Sequence, residues 1–134
     1  MPTPSTFTTQ SLGELILQAD NSSYRPTNQN AHRFLFQPSN THPLKAWTTL
    51  IDQRVPLLNS QWPALLASSV DKLRESLSAI GRSELGNDAQ LRHITLDELG
   101  KAVLIVSLDD SEESHSLEAH INEDNQITNI FATR

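Results

Sequence analysis

Five histidines, a run of four carboxylates and a Gly-Lys pair are the residues of this chain whose types could do chemistry. Imidazole ligates metals and titrates near neutrality, so clustered histidines would suggest a metal centre or acid–base work. The spacing argues against a metal. His115 and His120 are five apart in an alternating segment, an odd separation that sends them to opposite faces of a strand. No His-Glu-x-x-His pattern occurs, and His32, His42 and His93 fall in separate segments. His93, expected on a strand facing a long helix, is the one candidate general base, set against the ordinary structural role of a lone histidine. Gly100-Lys101 is not a phosphate loop, because Thr95 stands where the leading glycine belongs and Ala102 where a hydroxyl must follow the lysine. With four glycines in all, no dinucleotide cradle can be assembled. No Gly-x-Ser-x-Gly elbow appears. With zero cysteines, thiol catalysis, thiolate zinc and iron–sulfur chemistry are excluded. No catalytic residue, no metal and no cofactor is therefore assigned.

Charge is distributed unevenly. Residues 1–82 carry seven Lys and Arg against five Asp and Glu, a net of +2, whereas residues 83–134 carry three against eleven, a net of −8. Asp109, Asp110, Glu112 and Glu113 lie together between two predicted strands. They would form a solvated turn or a docking point for a basic partner surface, where concentrated charge speeds encounter and rejects wrong partners. A calcium loop counted from Asp109 needs Gly at its sixth position and Glu at its twelfth, and Ser114 and His120 stand there. Trp62, between Gln61 and Pro63, either closes the core or anchors a contact. Leu12, Leu15 and Ile16 form a short apolar motif in polar surroundings, as in a segment that orders on binding a partner.

The overall balance bounds the partners. A formal charge of −6 and a pI near 5.2 repel phosphate backbones and anionic lipid. No apolar run approaches the roughly 18 residues of a membrane helix, and Met1–Gln10 lacks the basic and apolar regions of a secretory signal. Nucleic acid and membrane are not expected as partners, and a cytoplasmic location is.

The elements that position these residues follow from periodicity. Ser11-Leu12-Gly13-Glu14 fits a capping box, which predicts a short helix from about Leu12 to Ala19. The loop chemistry around Pro26 then marks residues 1–31 as a flexible polar arm ahead of a single domain, 32–134. His32 to Gln37 reads as a strand stopped by Pro38. Leu44, Trp47, Leu50, Ile51 and Val55 recur at helical spacing, with Pro56 closing the helix. Leu66, Val70, Leu73, Leu77 and Ile80 predict a long amphipathic helix capped by Ser60 and ended by Gly81. Beyond Arg82 the period becomes two, with strands expected at Leu91–Leu96, Ala102–Leu108, Leu117–Ile121 and Ile127–Thr133. Val103 and Ile105 make the Ala102–Leu108 strand apolar on both faces, as for a central strand covered on both sides.

These elements predict an α+β domain: an N-terminal short helix and strand, two helices, then a four-stranded antiparallel meander packed on the long helix. From Pro63 to Arg134 the order of elements resembles that of cystatin-like and nuclear-transport-factor-like folds. The resemblance rests on element order, and since such folds host small-molecule enzymes, binding pockets and interaction domains alike, it does not choose among these. Absent a catalytic constellation, the expected function is a non-enzymatic protein-interaction domain, an adaptor, assembly factor or inhibitor that meets a protein partner through its acidic surface and N-terminal arm. The alternative is a small-ligand or isomerase/cyclase-type domain with a pocket between the long helix and the sheet.

Overall fold

The computed structural model describes residues 5–19, 22–28, 34–38, 44–82, 89–110 and 113–133. The strands are β1 (Thr6–Thr9), β2 (Gly13–Leu17), β3 (Tyr24–Pro26), β4 (Phe34–Gln37), β5 (Ala89–Asp97), β6 (Ala102–Asp110), β7 (Glu113–Ile121) and β8 (Ile127–Thr133). Helices α1 (Leu44–Ser68) and α2 (Val70–Ser78) lie between β4 and β5. All eight strands form one sheet in sequence order. Every pairing is antiparallel except β4 with β5, which run parallel because the helical crossover returns the chain to the same end of the sheet.

The chain is an α+β mix, but its architecture is not the expected one. The sheet is not a four-stranded meander under a long helix: β5 to β8 are half of an eight-stranded mixed sheet, and the other half comes from the first 37 residues. The expected N-terminal short helix is absent. Phe7 and Thr9 on β1, Leu15 on β2 and Tyr24 and Pro26 on β3 point to the core, and their neighbours point away. The helical spacing of Leu12, Leu15 and Ile16 has a different origin. Leu12 tucks under a tight turn whose Gly13 has φ +73°, so Leu12 and Leu15 both reach the core while Ile16 takes the opposite face. Ser11 does not cap a helix. Its N–H and hydroxyl donate to Asp52 Oδ1 of α1 at 2.8 and 2.7 Å, and Gln10 N–H donates to Oδ2 at 3.2 Å. Burial pushes the Asp52 carboxyl up, but these three bonds together outweigh it and hold its pKa below the ordinary value.

The helices also divide differently from expectation. α1 runs through both Pro56 and Pro63. Trp47, Ile51, Val55, Leu58 and Leu66 form one buried stripe along it, and both proline rings face solvent, so packing carries the helix past the missing N–H groups. Ser60 caps nothing: its hydroxyl donates back to the carbonyls of Pro56 and Leu57. The break comes at Ser69, with φ −108° and ψ 61°, and it turns Val70 out of the apolar stripe to 51% exposure. At the far end of α2, Gly81 has φ +77° and Arg82 N–H donates to the Leu77 carbonyl at 2.9 Å, a left-handed closure that favours glycine.

The helices cover one face of the sheet. Beneath α1, Phe7, Tyr24, Phe36 and Trp47 stack edge-on and tilted, with centroids 4.9 Å apart for Phe7–Tyr24 and 5.5 Å for Phe36–Trp47. The Trp47 indole N–H donates to the buried Glu98 carboxylate at 2.9 Å. Leu96, Leu104, Leu108, Leu117 and Ile121 continue the layer. Arg54, also buried, reaches from α1 into the β7–β8 turn, where its guanidinium donates to Asn125 Oδ1 and, at 3.3 Å, to the Asn122 carbonyl. At the β8 edge, the Ser76 hydroxyl donates to the Ile130 carbonyl at 2.9 Å, and the Ile130 N–H donates to Asn129 Oδ1 at 3.0 Å. Both main-chain groups at the middle of this edge are thus engaged by side chains, which guards it against an added strand.

Candidate functional site

Among the described residues, no helix lies over the opposite face of the sheet. The alternation that sends Leu15, Ile94, Leu96, Leu104, Leu117 and Ala119 inward sends their neighbours onto this open face. Ile16 stands beside Arg25, Leu35 beside Thr95, Thr95 beside Val103, and Val103 beside His120. Two residues along the strands, His93 lies opposite Ile105, Ile105 opposite Glu118, and Glu118 opposite Phe131. Ile16 and Phe131 are 41% and 45% exposed, and Leu35, Val103 and Ile105 are half-buried among their neighbours.

Polar side chains on this face are held in place by one another. His120 Nε2 lies 2.7 Å from Glu118 Oε2, and its ring meets Phe131 edge-on at 5.6 Å. The Arg92 Nε–H donates to the Ser107 hydroxyl at 2.9 Å. His93 Nε2 and the Thr95 hydroxyl share a hydrogen bond at 3.1 Å. Burial lowers the pKa of His93, and the charge of Arg25 lowers it further. His93 does not face the long helix as expected: it points away, because the core positions of β5 are Ile94 and Leu96.

At one end of the face, Gln37, Thr95, Lys101, Val103, His120 and Thr128 line a half-open groove of about 520 Å³. A shallower cleft of about 530 Å³ runs along α1 past Pro56, Leu57, Gln61 and Leu65 to Asn125. Neither lies between the helices and the sheet, where the buried side chains pack. Among the described residues, no three His, Asp or Glu side chains converge on a metal position. None of the described helices is long and apolar enough to cross a membrane.

The residues singled out from sequence do not gather at one place. Leu12 and Leu15 are core residues, and Ile16 alone of that motif is on the open face. Trp62 is half-buried on α1, packed against the core. Asp109 and Asp110 end β6, and Glu113 begins β7, with Asp110 paired to Glu113 across the hairpin. Glu112 lies outside the described residues. Leu35, Val103, Ile105, His120 and Phe131 were not singled out as site residues. Their one signal was the double-faced apolar pattern of Ala102–Leu108, which asks for cover on both sides where the described residues supply it on one. No protein-family model, curated protein or solved structure matches the chain.

Proposed function

We propose that this chain is a non-enzymatic protein-interaction domain, of the adaptor, assembly-factor or inhibitor kind, and that it meets its partner through the open face of the sheet. One observation carries this reading: Leu35, Val103 and Ile105 form an apolar centre on the face opposite the helices, flanked by Arg25, Arg92, Glu118 and His120, with Ile16 and Phe131 exposed beyond Arg25 and Glu118. An apolar patch with a polar rim is the usual anatomy of a protein-binding surface. Leu12 and Leu15 are committed to the core, so the expected role of the N-terminal motif passes to Ile16. The acidic β6–β7 hairpin end keeps the part of a steering charge. The alternative of a ligand pocket between helices and sheet has little to support it, since Leu58, Leu66, Leu104 and Leu117 are fully buried there.

The test is capture of partners from a native extract by the immobilised chain and by its Val103→Asp/Ile105→Asp variant, with bound proteins identified by mass. Because these side chains face away from the core, the variant should keep the wild-type circular dichroism spectrum and lose the specifically captured protein. A variant that folds and still captures the same protein would remove the open face as the interaction surface.

A further inference from the structure

We infer that the partner of the open sheet face is a second copy of this chain, the two sheets meeting face to face. The inference rests on the interaction reading above and adds the identity of the occupant. Three observations carry it. First, β6 is apolar on both faces, Leu104, Val106 and Leu108 on one and Val103 and Ile105 on the other; among the described residues, the helices cover the first set, and the second is half-buried. A strand of that kind belongs in the middle of a two-sided packing, and sheets stacked about 10 Å apart supply it.

Second, the size fits. Eight strands at about 4.8 Å spacing span roughly 34 Å, and with β5 to β8 up to about 30 Å long and β1 to β4 shorter, the face covers roughly 700 Å². A stable interface buries about 800 Å² on each partner.

Third, the charge fits. The chain carries −6 overall, so two copies repel across most of their surfaces. The open face is close to balanced: among the described residues, Arg25, Arg92 and Lys101 stand against Glu14, Asp97 and Glu118, with Glu123 at the groove end, around a centre of Val103, Ile105, Leu35 and Thr95. It is where two such molecules can approach with little like-charge repulsion. A strongly basic partner would find no matching field there.

Sedimentation velocity of the full chain over a concentration series, at low and high salt, tests this. The wild-type chain should form a dimer that tightens as salt rises, because screening relieves the net repulsion while apolar contact persists. Ile105→Glu should be monomeric. The milder Val103→Thr/Ile105→Thr variant keeps β-branched side chains on the strand, so it should fold like wild type and dimerise on the order of tenfold more weakly. A wild-type chain that stays monomeric at millimolar concentration overturns the inference, as does a dimer that ignores both substitutions or falls apart as salt rises. If the chain is monomeric but the Val103→Asp/Ile105→Asp variant loses a captured heterologous protein, the second copy is wrong and the interaction reading stands. If neither self-association nor capture responds, both fail.

Discussion

Single polar side chains do much of the joining between the two halves of this fold, and Asp52 is the clearest case. It ties the β1–β2 turn to α1 through three hydrogen bonds. Asp52→Ala should destabilise the protein by about 1–2 kcal/mol, in the range for hydrogen bonds to a charged acceptor at a partly exposed site. The pH dependence follows from the sign of the shift. The folded pKa lies below the unfolded value, so the stabilisation is present above the unfolded carboxylate value, about 4, and is lost as pH falls through the folded pKa. The gap between wild type and Asp52→Ala in denaturant midpoint should therefore be wide at pH 7 and narrow at pH 2.5. A gap that does not change with pH would mean that the carboxylate charge is not what holds the turn. His93 carries the opposite charge but the same pH direction. Its folded pKa is depressed, first by burial and then by Arg25, so protonation opposes folding and stability falls as pH drops below about 6.5. In a histidine NMR titration its midpoint should lie below that of an exposed histidine, and Arg25→Gln should raise it only part of the way.

Elements show where local pattern and tertiary packing part company. α1 carries two prolines in its interior, each removing a hydrogen bond, yet the buried stripe from Trp47 to Leu66 holds it as one helix. Pro63→Ala restores an N–H on the solvent face, and it should stabilise the protein by about 1 kcal/mol after allowing for the greater entropy of the unfolded chain. A lower denaturant midpoint would instead show that the packing of α1 depends on a bend at Pro63. α2 has a second task, because Ser76 occupies the Ile130 carbonyl at the sheet edge. Ser76→Ala should cost about 1 kcal/mol and increase light scattering on warming, as the edge becomes available for pairing. The same contrast explains what could be read from sequence. Leu117, Ala119 and Ile121 alternate along nine residues of β7 and lie inward, and Gly81 sits at a left-handed helix end, because each signal is local and repeated. β1, β2 and β3 are three to five residues long with one or two inward side chains apiece, too few to establish a period of two. Ser11 and Glu14 then imitated a capping box, although the true partner of Ser11, Asp52, is 41 residues away. The open face was legible only as a surplus of apolar residues on β6. Ile16, Leu35 and Phe131 join Val103 and Ile105 through sheet order, which no local window contains.

At the scale of the whole molecule, the strands run across the sheet in chain order, so each half is built from neighbours in sequence, and among the described strands the one parallel seam is β4 with β5. The helices bridge that seam. α1 buries Trp47 among Phe7, Tyr24 and Phe36 of the first half and receives the β7–β8 turn of the second half on Arg54. The first half is therefore part of the core that α1 needs. Removing residues 1–28 would take away three strands, the inward side chains Phe7, Leu12, Leu15 and Tyr24, and the turn that satisfies Asp52. Losing a large core side chain typically costs about 2–5 kcal/mol, and a domain has only about 5–15 kcal/mol in total. Four such losses, about 8–20 kcal/mol in all, match or exceed that margin. The truncated chain should show no cooperative unfolding transition, and its tryptophan emission should shift to the red as Trp47 meets water. A truncated chain that retains a sharp transition and blue-shifted emission would show that α1, α2 and strands β4 to β8 close a core by themselves, with Phe36 and Trp47 packing well enough without Phe7 and Tyr24.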